Sequence, residues 1–290
     1  MGCAAAAAPA PAAALPPGRS GLYGGGAVRD YLQFVSVRVL PGGGLRAHAT
    51  LITKCSPRFG DSLTESVSVP NARLSESGRY GATRPFRGEV EPGVPGIGGL
   101  RAEGAIAFSA EVLGSGVARG SVRVRTTYSD PETGAELSRC DTGLVRWVAR
   151  RPSPDAGTGR PAPRAGTQRG TTEQEQPFLM RVGRGGRLVR RAGLTVRVDC
   201  PSAIGLPLDV VAHRLRLRRG RFGATDDFQR AFTGSDGTEL VERYSWKLRG
   251  RFGRAGAHGS FELQGVVNRR SDGERVSSCG TGPIAWRTSG

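Results

Sequence analysis

Four cysteines, Cys55, Cys140, Cys200 and Cys279, stand well inside the chain, and a disulfide, a metal site or a thiolate nucleophile would each draw on that residue type. Spacing separates the three. No C-x-x-C occurs, and the histidines His48, His213 and His258 do not recur in step with the cysteines, so the usual ligand arrangement of zinc is missing. A nucleophile needs a base and a group to orient it, and no pair of that kind accompanies the cysteines in both halves of the chain. G-x-S-x-G, H-E-x-x-H and Walker-type runs are absent as well. Gly114-Ser-Gly-Val-Ala-Arg-Gly120 is glycine-rich, but its G-x-G-x-x-x-G spacing and the strand-like alternation after it fit a hairpin turn, not a phosphate loop. Asp130 and Asp141 lie near Cys140; Asp130, in Ser-Asp-Pro, suits a turn cap, and the two are not read as a catalytic pair. The chain nominates no catalytic residue, metal ligand or cofactor, and the cysteines are assigned a structural role.

Binding chemistry is better represented, in His213-Arg-Leu-Arg-Leu-Arg-Arg-Gly-Arg221. As a strand this stretch would turn Leu215 and Leu217 to the core and line the other face with Arg214, Arg216 and Arg218, about 7 Å apart. Guanidinium forks in a row suit phosphate or carboxylate polymers. The stretch aligned with it in the first half, Asn71-Ala-Arg-Leu-Ser-Glu-Ser77, has no such row. A solvated face that discourages edge-to-edge association is the plainer account. The formal charge of the whole chain is +17, yet only Lys54 and Lys247 among its 42 basic residues are lysine. With the abundance of Ala, Gly and Pro, this points to GC-rich coding, so arginine identity counts for little while the charge excess stands. Residues 1–151 hold 18 basic and 12 acidic side chains, and residues 176–290 hold 21 and 10. Such a field attracts anionic envelope polymers, anionic lipid headgroups or nucleic acid. Nucleic acid is the least favoured partner, because only 6% of residues are aromatic and Trp147 and Trp286 are expected to be buried, leaving few rings for base stacking.

The elements that must position these residues come in two copies. Gly78-Arg-Tyr-Gly-Ala-Thr83 recurs as Gly220-Arg-Phe-Gly-Ala-Thr225, and Ala118-Arg-Gly-Ser121 as Ala257-His-Gly-Ser260. Cys140-Asp-Thr-Gly143 with Trp147 recurs as Cys279-Gly-Thr-Gly282 with Trp286, and Cys55 precedes its half's second cysteine much as Cys200 does. Four matches in one order at nearly constant offset imply duplication. Leu194–Cys200 alternates apolar and polar residues, as does Ser121–Thr126, while Gly-rich and Asp-Gly breaks at 41–44, 185–186, 236–237 and 272–273 punctuate such runs. No stretch has twelve residues of capped helical periodicity. The fold class read from this is all-β: two tandem antiparallel β-sandwich or small β-barrel domains of about six to eight short strands, each with one disulfide, with a meander slightly favoured by the short connections. The 290 residues divide into an Ala/Pro-rich segment 1–20, a first domain 21–151, a linker 152–176 and a second domain 177–290. The linker has no apolar residue larger than alanine and is read as disordered. No run of eighteen apolar residues offers a transmembrane helix.

Duplication also chooses among the three pairings open to four cysteines, since an ancestral unit with two must have paired them internally: Cys55 with Cys140, and Cys200 with Cys279. Each bond would close a loop of about 80 residues, for a chain-entropy contribution of about 4 to 5 kcal/mol. It would clamp the end of an early strand to the start of the last one, beside a buried tryptophan. Disulfides persist in oxidising surroundings, so the expected location is extracytoplasmic, secreted or associated with the cell envelope. Residues 1–20 make a poor signal peptide as written, which points to an upstream start. Gly2-Cys3 matches the last two positions of a bacterial lipobox without its preceding leucine, and Cys3 is read as an artefact of the chosen start, a free thiol or a lipid anchor. The pattern C-[DG]-T-G-x-x-x-W, with a cysteine some 80 residues earlier and a G-R-[FY] strand between, resembles an uncharacterised class of exported β-domains of high-GC actinobacteria, over residues 30–151 and 178–290. That resemblance implies an exported β-fold and no known activity; Gly280 in place of Asp141 argues against a shared acidic role. The function expected is a non-enzymatic, envelope-associated binding or structural module with weak polyanion affinity. Its alternative is an envelope enzyme whose site no motif reveals.

Overall fold

The computed structural model describes residues 18–28, 32–56, 63–90, 99–156, 158–159, 163–201, 203–233 and 238–290, so Cys3 and Asp236-Gly237 lie outside the described residues. All regular elements among the described residues are strands. The first half contains β1 (Gly21–Val28), β2 (Leu32–Val39), β3 (Gly44–Cys55), β4 (Leu63–Arg73), β5 (Arg79–Val90), β6 (Leu100–Leu113), β7 (Val117–Ser129), β8 (Glu136–Asp141) and β9 (Val145–Arg150). The second contains β10 (Gly166–Thr172), β11 (Pro177–Val182), β12 (Leu188–Cys200), β13 (Ala203–Arg216), β14 (Arg221–Thr233), β15 (Glu239–Phe252), β16 (Ala257–Arg269), β17 (Arg275–Gly280) and β18 (Ile284–Ser289). Among the described residues each half therefore has nine strands, more than expected, and several are long: β6, β13 and β15 have 14 residues each.

Both sheets follow one plan. In the first, β3-β2-β1-β9-β7 forms an antiparallel run that β8 closes into a ring by pairing with both β7 and β3; β4 extends the sheet beyond β3, and β6 and β5 extend it beyond β7. In the second, β12-β11-β10-β18-β16 is closed by β17, with β13 beyond β12 and β15 and β14 beyond β16. The architecture is thus a six-strand barrel with flanking strands, and the meander holds only within the runs β1 to β4 and β5 to β8. The closing contact is the narrowest in each ring. β3 meets β8 at Lys54↔Asp141 and Cys55↔Cys140, and β12 meets β17 at Asp199↔Gly280.

The disulfides staple these narrow contacts. Cys55 bonds Cys140 and Cys200 bonds Cys279, with Cα atoms 4.1 and 4.3 Å apart. The pairing is the one expected, but the clamped strand is the penultimate one, β8 or β17. The final strand runs on the other side of the ring, between β1 and β7, and takes Trp147 with it into the barrel core. Cys140 packs instead with Leu100, Ala102 and Tyr128.

The alternation read from the sequence fills the barrels. Val122 and Val124 are fully buried, as are Phe261 and Leu263 at the matching places in β16. Trp147 stacks on Phe108 at 5.6 Å and Trp286 on Phe178 at 4.1 Å between ring centroids, and both tryptophans are 1% exposed. Burying each such side chain contributes on the order of 2 to 3 kcal/mol. The repeated Ala-x-Gly-Ser motif has a packing cause here. A Cβ on Gly120 would lie 1.9 Å from the Ser109 carbonyl oxygen and 2.8 Å from Trp147 Cζ2, and one on Gly259 would lie 1.9 Å from the Arg249 carbonyl oxygen and 2.5 Å from Trp286 Cζ2, so only glycine admits both the neighbouring strand and the indole.

The linker reading is corrected by the structure. Residues 166–172, inside the stretch 152–176, form β10, a strand of the second ring between β11 and β18. Apolar content misleads there because Gln168, Thr171 and Thr172 are buried by hydrogen bonding and by the neighbouring barrel; Thr288 Oγ1, for example, donates to Gln168 Oε1 at 3.1 Å. Upstream, Ala156 is buried and Arg254 N–H donates to the Thr158 carbonyl at 2.9 Å.

The barrels pack side by side through β1 and β2 against β10 and β11. Phe34 and Leu179 form a small apolar contact, and the Arg38 guanidinium forks onto the Glu175 carboxylate. Backbones touch at Gly24, where a Cβ would come within 1.9 Å of the Gly170 carbonyl oxygen.

Candidate anion-binding face

Antiparallel partners in direct register place their side chains on the same face of a sheet, with neighbouring strands about 4.8 Å apart. Register alone therefore assembles a row on the outer face of the second sheet. Arg218 pairs Arg221 across the β13–β14 turn, Arg221 pairs Arg251 of β15, Arg251 pairs His258 of β16, and His258 pairs Arg287 of β18. All five are exposed. Their intervening neighbours Phe222, Phe252, Ala257 and Trp286 are buried, which fixes the row on the solvent side. Arg221, Arg249, Arg251 and His258 rim a shallow depression of about 570 Å³, with Gly223 and Ser260 between them. Among the described residues none of the five forms an ion pair.

The first sheet shows what that face carries when it is satisfied internally. There Arg79 of β5 pairs Glu111 of β6, and Glu111 pairs Arg119 of β7, which pairs Val148 of β9. Glu111 bridges the two arginines: Arg119 reaches Oε2 at 2.7 Å and Arg79 reaches Oε1 at 2.9 Å. Hydrogen bonds from Arg119 and Arg79 hold its carboxyl below the usual carboxylate range. Arg251 occupies in β15 the place Glu111 has in β6, opposite the first residue of the preceding strand. Arg287 stands where the first sheet has Val148. A bridged Arg-Glu-Arg trio thus becomes an all-basic row with no carboxylate of its own.

The arginines nominated from sequence are placed differently. Arg214 has φ 55, and the burial pattern changes phase around it, from Val210 and Ala212 to Leu215. Asn71 in β4 has φ 51. The strand ends at Arg216, and Arg218 belongs to the turn Arg218-Arg219-Gly220-Arg221, in which Arg219 (φ 51) and Gly220 (φ 75) adopt the positive values a type I′ hairpin requires. All three arginines are exposed and Leu217 packs on the core, but they do not line one regular strand face. Of the three, only Arg218 joins the cross-strand row. Arg221, Arg251, His258 and Arg287 were missed because the row runs across strands, and strand-by-strand periodicity is blind to that direction.

Other polar features have local explanations. Asp130 accepts from the Glu132 and Thr133 amides and caps the β7–β8 turn. Asp141 is clamped by Arg123 at 2.6 Å, and that contact leads the effects that hold its carboxyl down to about 2. Farther along β14 to β16 a second depression of about 760 Å³ is lined by Asp227, Arg243, Ser245, Gln264 and Ser278. The carboxylates that burial pushes up are elsewhere: Glu65 accepts from Tyr128 and Thr126, and Asp209, raised to about 6, accepts from Thr195 Oγ1 at 2.6 Å. Among the described residues no cluster of three or more His, Cys, Asp or Glu is placed to hold a metal, and no helix is long and apolar enough to cross a membrane.

No family model and no curated protein matches the chain. Among solved structures, the crystal structure of a "putative outer membrane protein" from Bacteroides fragilis is matched at 9% identity, over 94% of this chain and 98% of that one, with a TM-score of 0.22, a likeness that carries no argument about fold or function.

Proposed function

We propose that this protein is an exported, non-enzymatic binding module made of two copies of one β-barrel unit, and that its second barrel holds an anionic polymer of the cell envelope on its outer face. The observation that carries this reading is the row Arg218, Arg221, Arg251, His258 and Arg287, adjacent in register and without the carboxylate that bridges the first barrel's equivalent pair. Like charges about 4.8 Å apart repel, and a surface that assembles them without a counterion gains by binding a linear polyanion. The two disulfides support an oxidising location. Membership in the exported actinobacterial class of β-domains and a lipid anchor at Cys3 extend the same proposal. The test is the affinity of the full chain for fluorescently labelled linear polyphosphate as a function of salt, with Arg251→Glu as the decisive variant. Loss of affinity with an unchanged fold supports the reading, and unchanged affinity removes it.

A further inference from the structure

The row does not end at Arg287. Arg287 pairs Thr171 of β10, and that outer face of β10 looks onto the first barrel, where Thr171 Cγ2 would lie 2.6 Å from a Cβ on Gly24. One step along the same face is Arg169, paired with Ser289. Across the junction, the register partner of Gly24 in β9 is Arg150. Two guanidinium groups of different barrels are therefore brought to one crevice.

Only one of them is satisfied there. Arg169 Nη1 donates to the Thr167 carbonyl at 3.3 Å, but its Nε is shut away from solvent and donates to nothing. Arg150 Nη1 donates to the Gly290 carbonyl at 2.9 Å. Burial first, and then the charge of Arg150, push the Arg169 guanidinium below its ordinary pKa. A buried N–H without an acceptor is destabilising, and a like charge beside it adds to that cost. The junction supplies a carboxylate to another arginine, Glu175 to Arg38, whereas among the described residues no Asp or Glu side chain pairs with Arg150 or Arg169. An anionic oxygen between Arg150 and Arg169 would accept from the Arg169 Nε–H and offset the two like charges.

We propose that the Arg150–Arg169 crevice is the terminal subsite of the basic row, so that the ligand is an extended single-chain polyanion that crosses from the second barrel onto the first. This rests on the anion-binding reading of the row. From Arg218 to Thr171 the register takes five steps of about 4.8 Å, so a ligand must reach roughly 24 Å to touch both ends. A short anion fills the row in part and cannot hold the row and the crevice at once.

The experiment compares tripolyphosphate with long-chain polyphosphate on the intact protein, using isothermal titration at about 0.1 M salt. The wild type should bind the long chain far more tightly. Arg150→Gln with Arg169→Gln should weaken the long chain by about 25-fold, the equivalent of two phosphate contacts on a single strand, and weaken tripolyphosphate far less. Arg150→Gln alone, at the less buried of the two positions, should give about fivefold and serves if the double variant unfolds. Equal losses for both lengths, or none for the long chain, would overturn the crevice while leaving the row in place. If Arg251→Glu also has no effect on either ligand, the anion-binding reading itself fails.

Discussion

Replacing Arg251 with glutamate places a carboxylate where the first barrel has Glu111, between Arg221 and His258. In the first barrel that arrangement draws Arg79 and Arg119 onto Glu111 at 2.9 and 2.7 Å. The wild-type row offers four arginines to a polymer. With a coefficient of about 0.7 per contact, as for a single phosphate strand, log affinity should fall against log salt with a slope of about −2.8, or about 50-fold between 50 and 200 mM. In Arg251→Glu, Arg221 is engaged by the new carboxylate and only Arg218 and Arg287 remain. The slope should shrink to about −1.4, and the same salt change should cost about 7-fold. Exposed ion pairs contribute about 0 to 1 kcal/mol, so thermal unfolding should barely change. Fluorescence anisotropy with a labelled polyphosphate long enough to cover the row but too short to reach the Arg150–Arg169 crevice measures the slope directly. An unchanged slope in a folded variant would refute the assignment of the row. The reciprocal change, Glu111→Arg, should create a second binding row on the first barrel and raise the number of chains bound.

Three further outcomes follow from the fold. Replacing Cys55 and Cys140 together with serine leaves β3 and β8 held by two register pairs, and should lower the first barrel's stability by about 2 to 5 kcal/mol in denaturant unfolding; a loss under 1 kcal/mol would show that the ring closes without its staple. Asp209, whose carboxyl is raised by burial to about 6, binds more protons folded than unfolded, so stability should fall as pH rises from about 4 to 6 and then level off. Asp209→Asn should abolish that dependence and add up to about 3 kcal/mol at pH 7, which pH-resolved urea titrations would detect. Gly24→Val would drive side-chain atoms into the Gly170 carbonyl and should speed hydrogen exchange in β1 and β10 while leaving β5 and β14 unaffected.

How much of this was legible in the chain varied with the direction of the interaction. Features set by local pattern could be read, namely the strands around Val122 and Leu194, the turns at Gly43, Gly185 and Gly273 and the buried tryptophans, and the repeat of the unit gave both cysteine pairs. β10 could not, because Gly166–Thr172 owes its burial to β11, β18 and the first barrel and not to apolar side chains of its own. The arginine row was half visible. The repeated motifs already contained Arg79 with Arg221 and Arg119 with His258, but the residue between them lies on β6 or β15, and only strand register reveals that Glu111 and Arg251 change places. Arg214, by contrast, looked like part of a regular strand until its left-handed backbone shifted the pattern, which no periodicity argument could anticipate.

The most direct measurement of the central claim is hydrogen exchange of the intact protein with and without long-chain polyphosphate, read strand by strand. Binding at the row should slow exchange at the ends of β14, β15, β16 and β18 that carry Arg221, Arg251, His258 and Arg287, and leave β5, β6 and β7 unchanged. Equal protection of both barrels, or protection confined to β12 and β13, would contradict it.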